Sequence, residues 1–593
     1  MNTHFSFRWM TTLLVLLCVG ISASLESQSL VKAYVSTEES MEPMPYVNVY
    51  NYMTGKGTIS NESGYFEIYM SPGDSVMMSF LGYESEPVLY SESSDAQQYT
   101  LQLKSTLIDA VTIEPEEDDY LFDLIKECRK NKIVDKVNAK VYYALKSYMD
   151  TTQIELVEGY YNMQSQGYDV EWMDMKAGRL ALNTHENRLF TSLDGSKSFT
   201  MMSLFDDEYK FPNHPLNVKK SKLKKSFYLY LIGKYADAST DSVYVIEYQA
   251  RPRKNAALFS GKIWINKTKQ TIQKIESYCE ECELHPFKAI FPSDKVLNVN
   301  MHITRTFGED EIGPYFNQID FDYDINYLSR QGEVHSSNYT INTKAILYAY
   351  DYRNFFSVPY FEFSPMAESD FRKINAIPYN RFFWNYNDEY KLNDARDANK
   401  TFFHEESAIT NLDIFKSNAL IKTGLFEQPF IKWSSDRLFF KDIIDENALA
   451  DQFYGLLSGY NIEAKIFMDV NSYGGKHDVQ TATILDPYDS YFFEEINQRT
   501  TCFLNMYFDL CEIMRRKLHV RVAAAEGNTV LIDEIYKDFQ EEFEAIKLKF
   551  ITEVEMGYAL DKMQEWNEYI KMYLNIDNMV LFKPIEEAEN DIR

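Results

Sequence analysis

The sequence that decides the fold of the N-terminal part reads PYVNV at 45–49, GTISNESGYF at 57–66 and SFLGY at 79–83. Val47 and Val49 alternate with polar residues as in a half-buried strand, and Phe66 and Ile68 do the same. The NESG sequence that ends at Gly64 is typical of a tight turn, because glycine adopts a positive φ without steric cost. The pattern therefore predicts short strands joined by tight turns.

A second turn, PGD at 72–74, precedes a strand in which Val76, Met78 and Phe80 alternate. In this order, the motifs of residues 30–105 resemble the carboxypeptidase-regulatory-like domain, which is common in envelope proteins of Bacteroidota. The resemblance implies a prealbumin-type β-sandwich. It predicts the fold of this region but no catalytic activity, because function depends on specific sites and not on the fold.

The first 24 residues have the features of a secretory signal peptide. Arg8 precedes an apolar run at 13–20, and the small residues Ser22, Ala23 and Ser24 follow it. The run is short for a membrane span, although an uncleaved anchor is the alternative. We expect cleavage close to Ala23 and secretion across the inner membrane, either to the periplasm or to the outer-membrane surface.

Composition restricts the classes of partner. The chain has 593 residues, 15% of them aromatic, and a formal net charge of −29. This length indicates several domains, and the aromatic content suits strands with large buried surfaces. An acidic surface argues against binding to nucleic acid and to anionic lipid. The mature sequence contains no transmembrane segment, and its oligomeric state is open.

The predicted fold is multidomain and mainly β. A signal peptide (1–24) and the β-sandwich (25–113) precede a helix with a large antiparallel curved sheet (114–350), an irregular aromatic connector (351–425) and a C-terminal α+β domain (426–593). Helical spacing begins at Asp119, and the clearest strands are 141–145, 242–248, 297–303, 321–327 and 339–343. In the C-terminal part, strands at 462–469 and 481–484 flank a turn at 473–476, and two long helical patterns follow.

Residues 259–275, FSGKIWINKTKQTIQKI, add a second resemblance. They are similar to a region in a Bacteroidota family in which a regulatory-like domain precedes a curved sheet like that of lipoprotein carriers. The resemblance implies a strand pair with an exposed turn between Asn266 and Gln270. It also implies an apolar sheet face that engages an envelope protein or an apolar, lipid-like ligand.

The sequence lacks the patterns of the enzymes that these domains accompany. A metallocarboxypeptidase needs a histidine followed three residues later by glutamate, and none of the nine histidines has one. The HExxH pattern and the GxSxG pattern are also absent. We therefore identify no catalytic residue and no cofactor-binding residue, and we expect no cofactor.

Cys279, Cys282 and His285 form the strongest candidate for a metal or redox site. Two thiolates and an imidazole hold zinc when a fourth ligand joins them, whereas two cysteines in an oxidising envelope also form a disulfide or stay free thiols. The intervening Glu280 and Glu281 should raise the thiol pKa values, which disfavours a redox role. All three alternatives remain open, so the metal assignment is unknown.

Two charged clusters have both structural and functional interpretations. Asp509, Glu512, Arg515 and Arg516 fit ion pairs on a helix surface, while a catalytic acid cluster is the alternative. Five lysines at 219–225 fit a solvated loop, while contact with an anionic glycan or a lipid head group is the alternative.

The sequence favours a secreted, non-catalytic binding or scaffold protein of the cell envelope. The sandwich would serve as an interaction or spacer module, and the curved sheet would engage a partner or an apolar ligand. One alternative is a metal-dependent hydrolase that uses Asp469, His477 and Asp478. The other alternative is a lipid or lipoprotein carrier.

Overall fold

The computed structural model describes most of the chain from Ser29 to Phe582. The described residues are 29–54, 56–80, 82–93, 95–103, 119–130, 135–183, 195–206, 210–236, 241–252, 257–289, 291, 293–309, 313–331, 335–361, 369–387, 409–410, 431–438, 460–473, 475–486, 490–492 and 497–582. The predicted signal peptide lies outside them, as do the end of the sandwich sequence and much of the predicted aromatic connector. The chain divides into two compact units, one of 1–107, 235–237 and 387–398, and one of 108–234, 238–386 and 399–593.

Two small sheets form the N-terminal sandwich. Its strands are β1 Ser29–Thr37, β2 Asn48–Asn51, β3 Lys56–Ile59, β4 Tyr65–Met70, β5 Val76–Ser79, β6 Glu86–Val88 and β7 Gln97–Leu101. One sheet has the order β4-β1-β7 and the other β3-β2-β5-β6. Alternate residues of both sheets, among them Val31, Val49, Phe66 and Met78, share one core. The strand alternation in the sequence predicted this core correctly.

The turn before β4 forms as the sequence predicts. The side-chain oxygen of Asn61 accepts hydrogen bonds from the backbone N–H groups of Ser63 at 3.0 Å and Tyr65 at 2.9 Å. Gly64 has a φ of +74°, and a Cβ at this position would lie 2.2 Å from the carbonyl oxygen of Val35. Only glycine meets both conditions, because an L side chain is strained there and would clash.

The central sheet has eleven strands. They are β8 Lys136–Met149, β9 Thr152–Gln166, β10 Asp169–Leu182, β11 Phe227–Ala236, β12 Ser242–Ala250, β13 Ser260–Asn266, β14 Thr271–Cys279, β15 Lys295–Glu309, β16 Pro314–Gln331, β17 His335–Tyr350 and β18 Ile409–Thr410. Their order is β11-β12-β13-β14-β15-β16-β17-β8-β9-β10-β18. Among the strand pairs of this sheet whose register the described residues define, only the edge pair β10–β18 is parallel. The large antiparallel sheet and the mainly β fold are therefore confirmed.

One face of this sheet, the inner face, is covered by the chain itself. It carries Val299 and Met301 of β15 and Phe321 and Tyr323 of β16, each exposed by 3% or less. Helices α1 (Asp119–Cys128), α2 (Gly195–Thr200) and α3 (Leu223–Ser226) and residues 283–289 pack against it, and a 3₁₀ helix (Lys220–Lys222) without buried side chains precedes α3. The ring of Phe287 lies 4.4 Å from that of Tyr323, and the ring of Phe211 lies 6.1 Å from that of Phe321. These segments and the inner face form a single core.

Within the described residues, the opposite face, the outer face, is covered over β8–β10 and over the adjoining ends of β16 and β17, where Gln318 and Tyr348 are buried. There the Tyr160 ring contacts three aromatic rings, those of Phe356 at 5.9 Å and of Phe383 and Trp384 at 5.4 Å. Phe383 and Trp384 lie on α5 (Arg381–Tyr386), which follows α4 (Asp370–Ala376). The sequence analysis missed β9 and β10 as strands, because burial on both faces removes the alternation that marks a half-buried strand.

The C-terminal part combines short strands with three helices. Its elements are β19 Ile431–Lys432, β20 Tyr460–Asn461, β21 Ala464–Tyr473, β22 Lys476–Leu485, β23 Tyr491–Phe492, α6 Gln498–Ala523, α7 Thr529–Val554 and α8 Leu560–Leu574, with 3₁₀ helices at Glu555–Gly557 and Asn578–Phe582. The predicted strands and both long helices are present, and α8 was not predicted individually. No helix within the described residues is long and apolar enough to cross a membrane. The domain borders at 350 and 425 stay predictions.

Candidate functional site

The outer face of the central sheet is open and polar over the parts of β14–β17 that carry Tyr278, Asp324 and Thr340. Residues directly opposite each other in an antiparallel sheet share a face. Asn298, Asn326 and Thr340 are such partners on β15, β16 and β17, and Asn300 and Asp324 form a neighbouring row. Asn298, Asn300, Asp324 and Thr340 are exposed, whereas the residues between them point into the core. The alternation therefore places two rows of polar side chains on this surface.

These rows form the floor of a groove of about 630 Å³, which we call the polar groove. The side chains that define it are Tyr278, Asn298, Asn300, Asp324, Asn326 and Thr340. Tyr278 belongs to β14 and exposes 48% of its surface. The groove thus combines amide, carboxylate and hydroxyl groups with one accessible aromatic ring, on strands whose opposite side is fixed in the core. The sequence alone did not reveal it, because its residues come from separate strands.

A sharp turn after β14 forms one wall of the polar groove. Glu281 has a φ of +48°, and its backbone N–H donates to the side-chain oxygen of Asn300 at 2.9 Å. The next N–H, that of Cys282, donates to the carbonyl oxygen of Val299 at 2.8 Å. These bonds hold the carboxylate-bearing Glu280 and Glu281 beside the floor of the groove.

The groove has an acidic character. The described residues that line it include Glu280, Glu281 and Asp324, and neither lysine nor arginine is among them. A ligand with phosphate, sulfate or carboxylate groups would meet three carboxylates without a compensating cation. The groove therefore favours neutral or cationic ligands.

Cys279 and Cys282 are buried free thiols. The Cys282 thiol donates to the carbonyl oxygen of Cys279 at 3.2 Å. A hydrogen bond from Cys282 lowers the pKa of Cys279, whereas the same interaction and burial raise the pKa of Cys282. The charge of Glu280 raises the pKa of Cys279 as expected, but the hydrogen bond from Cys282 outweighs it, so the net shift of this pKa is downward.

The predicted zinc ligands do not come together with further donors. The His285 ring stacks beside that of Phe287 at 5.9 Å, and burial lowers the pKa of the imidazole. Across the described part of the chain there is no group of three or more His, Cys, Asp or Glu side chains that could hold a metal ion. The three residues therefore lack the convergent geometry that a zinc site needs.

The residues of the alternative hydrolase are separated as well. Asp469 and Asp478 lie on one face of the β21–β22 pair, since their partners in register are Gln480 and Asn471. His477 lies on the other face, where its Nδ1 is 2.7 Å from the hydroxyl of Ser472. These three side chains cannot bind one metal ion together in this fold.

The acidic pair on α6 is structural, although it is not on the surface as predicted. Glu512 is 3% exposed and accepts hydrogen bonds at 2.8 Å from Thr483, Arg515 and Arg516. Burial alone would raise its pKa, but the two arginines hold the pKa below its usual value. Asp509 is 1% exposed and accepts from Trp433 at 2.8 Å and from Arg437 at 3.0 Å. These bonds fasten α6 to β22 and to the segment after β19.

The lysine cluster at 219–225 lies on the 3₁₀ helix and on α3, not in a loop. Its lysines are exposed, and the intervening Leu223 is buried. Lys224 forms an ion pair of 2.5 Å with Asp119 and lies over the Phe122 ring. The lysines are thus solvated as expected, but on short helices that the buried Leu223 anchors to the inner-face core.

A buried group of charges, which the sequence analysis missed, lies under the aromatic cover of β8–β10. A register shift between Met175 and Ala177 leaves Lys176 in a β-bulge, and such bulges redirect side chains. Its ammonium donates to Asp469 at 2.5 Å and to the carbonyl oxygen of Ser357 at 2.8 Å. Burial lowers the pKa of Lys176, while the charge of Asp469 opposes that shift.

A second buried pair lies beside it. Glu158 accepts from Tyr142 at 2.6 Å and from Arg179 at 2.5 Å, and the Arg179 guanidinium lies 4.3 Å from the centre of the Trp384 ring. Strongly shifted groups often mark active sites. Here the Lys176 and Asp469 side chains are only 1% and 6% exposed, so no substrate reaches them. The group instead joins β9 and β10 to the connector and to β21.

Comparison with known proteins identifies the N-terminal β-sandwich. Residues 31–113 match the family described as the CarboxypepD_reg-like domain. The N-terminal β-sandwich is therefore a CarboxypepD_reg-like domain, and the resemblance seen in its motifs is confirmed. No curated protein matches the chain in sequence.

Solved structures show only weak similarity. A DUF1329 family protein from Desulfovibrio piger is 6% identical with a TM-score of 0.19, over 41% of this chain and 95% of that chain. Lipovitellin is 10% identical with a TM-score of 0.18, over 38% of this chain and 26% of that chain. A LolA superfamily protein from Nitrosomonas europaea is 12% identical with a TM-score of 0.15, over 39% of this chain and 93% of that chain. Similarity at this level supports no statement about function.

The buried Lys176–Asp469 pair should be essential for stability. We expect Asp469→Ala to lower the free energy of unfolding by about 3–5 kcal/mol, because the ammonium of Lys176 stays buried without its counter-charge. Glu542→Ala breaks the exposed pair with Arg521 and should cost at most about 1 kcal/mol. Urea denaturation of the full chain measures both. Equal losses for the two variants would contradict a structural role for the buried pair.

Proposed function

We propose that this protein is a non-catalytic binding protein of the cell envelope and that the polar groove is its ligand site. The observation that carries the proposal is the contrast between the two faces of the central sheet. The inner face is packed against the chain's own segments, whereas the outer face over β14–β17 presents a polar groove to solvent. Concave sites with a few convergent polar groups are the usual form of a ligand site.

The rigidity of the strands supports this role. The groove residues lie on β14–β17, strands of 9 to 18 residues that pair along most of their length. Side chains on such strands keep their relative positions better than side chains on loops. The groove therefore requires little ordering when a ligand binds, and this lowers the entropic cost of binding.

The chemistry of the candidate residues supports a function without catalysis. Asp469 and Asp478 lie on the face opposite His477, and both Asp509 and Glu512 accept hydrogen bonds from arginine within the core. None of these groups belongs to the residues that line the polar groove. The CarboxypepD_reg-like domain would act as an interaction or spacer module that presents the sheet.

Secretion across the inner membrane is part of the proposal, and it rests on the predicted signal peptide at residues 1–24. An extracytoplasmic location also agrees with an acidic surface that is not suited to nucleic acid.

Cleavage of the signal peptide can be measured directly. When the full-length chain is expressed with its own N-terminus, we expect the envelope fraction to contain a protein that begins at or close to Ser24. The double variant Leu14→Arg/Leu16→Arg should remain uncleaved, because charges in the apolar run prevent recognition. N-terminal sequencing distinguishes the forms. A wild-type protein that retains Met1 in the envelope fraction would contradict cleavage.

Ligand-induced stabilisation tests the function itself. Thermal unfolding of the mature protein is recorded with a panel of neutral oligosaccharides, polyamines, short peptides and fatty acids. A ligand at about 100 times its Kd stabilises a protein by about 2.7 kcal/mol. We expect at least one polar compound to stabilise the wild type and to lose its effect with Asn298→Ala/Asn326→Ala. The control Lys262→Ala changes an exposed residue on the same sheet that does not line the groove.

Two results would contradict the proposal. One is that no polar compound binds, or that the groove variant binds every compound as well as the wild type. The other is turnover of a peptidase, esterase or glycosidase substrate that a chelator abolishes, since this would show a metal-dependent enzyme.

A further inference from the structure

We infer that the polar groove binds a neutral oligosaccharide. This inference rests on the proposed function and adds the chemical class of the ligand. Three properties of the groove carry it: its charge, its arrangement of hydrogen-bonding groups and its single accessible aromatic ring.

The charge of the groove excludes most anionic ligands. Glu280, Glu281 and Asp324 contribute three carboxylates to its lining, and the whole chain carries a net charge of −29. A phosphorylated or sulfated ligand would be repelled both at a distance and on contact. Electrostatic complementarity therefore leaves neutral and cationic ligands.

The hydrogen-bonding groups favour hydroxyl-rich ligands among these. The amide side chains of Asn298, Asn300 and Asn326 each offer donors and acceptors, as the Thr340 hydroxyl does, and Asp324 offers acceptors. A sugar hydroxyl is itself both a donor and an acceptor, so it pairs with an amide and with a carboxylate. Apart from the bond between Asn300 and Glu281, these amides have no hydrogen bond within the described residues. Their groups are therefore available to a ligand.

The spacing of the rows suits an extended ligand. Neighbouring strands lie about 4.8 Å apart, and alternate residues on one strand lie about 7 Å apart. The groove runs diagonally from Tyr278 on β14 to Thr340 on β17, because Tyr278 is in register with His302 and Thr340 is in the row of Asn298. It therefore crosses three strand spacings, about 14 Å, and extends about 13 Å along the strands. Polar side chains follow one another along its length, so successive sugar units of a short oligosaccharide can each form hydrogen bonds.

The Tyr278 ring supplies the apolar contact that sugars use. One face of a pyranose ring is lined by C–H groups and packs on the flat face of an aromatic side chain, while its hydroxyls point to the polar groups around it. Tyr278 is 48% exposed near Asn300, whereas the other apolar residues that line the groove, Leu258, Cys279 and Ile325, are buried. A tyrosine in this position contributes contact area at a low entropic cost.

The experiment uses the mature full-length protein and defined probes. Isothermal titration with cellohexaose, xylohexaose, mannohexaose, laminarihexaose and chitohexaose covers neutral sugars with different linkages, and spermine and a lysine-rich peptide cover cationic ligands. We expect at least one hexasaccharide to bind with a Kd below about 1 mM.

Three variants locate the binding site. Tyr278→Ala should weaken binding of that sugar about tenfold, because one aromatic contact is lost. The double variant Tyr278→Ala/Asn326→Ala should bind the sugar more weakly still. The matched control is Tyr69→Ala in the N-terminal domain, which removes another tyrosine of 48% exposure. This variant should bind the sugar as well as the wild type. Circular dichroism spectra confirm that each variant is folded.

The outcomes separate this inference from the proposed function. Binding of spermine or the peptide at the groove, with no binding of any hexasaccharide, would overturn the oligosaccharide while leaving a binding protein. Sugar binding that Tyr278→Ala and Asn326→Ala leave unchanged would also overturn it, because the site would lie elsewhere. Binding of none of the probes would contradict both.

Discussion

The structure depends on one constraint, which is that a wide antiparallel sheet must cover at least one of its faces with apolar contacts. This chain supplies that cover itself. The segments between β10 and β11 and between β14 and β15, together with α1, bring Phe211, Phe287 and their neighbours onto the inner face. Inner-face residues such as Val299 and Met301 are consequently 0% and 2% exposed. Among the described residues, these inner-face side chains are therefore closed off from solvent.

Because the inner face is occupied, the two parts of the outer face have different roles. Over β8–β10 it is sealed by aromatic rings and by the Lys176–Asp469 and Arg179–Glu158 pairs. Buried ion pairs of this kind seldom add net stability over apolar contacts, but they penalise any arrangement that separates the partners. They therefore specify how the connector and β21 lie against β9 and β10. At the polar groove, the described residues leave the same face open to a ligand.

Local patterns in the sequence predicted the elements whose burial is one-sided. The turn at Gly64 and the strands β15, β16 and β17 were recognisable because polar and apolar residues alternate. In contrast, β9 and β10 are buried on both faces, so they show no alternation. The polar groove was not predictable either, because Tyr278, Asn300 and Asp324 become neighbours only through strand register. Likewise, the sequence placed Glu512 on a helix face without showing that β22 covers it.

The most direct test of this account asks whether the inner face holds a ligand. The mature protein is purified from the envelope of its host without detergent, extracted with organic solvent, and analysed by quantitative mass spectrometry against its own concentration. If the chain's own segments fill the inner face, lipids and other apolar molecules should be present at far less than one per protein. A single apolar species at one per protein, retained through purification, would contradict the account and indicate a carrier.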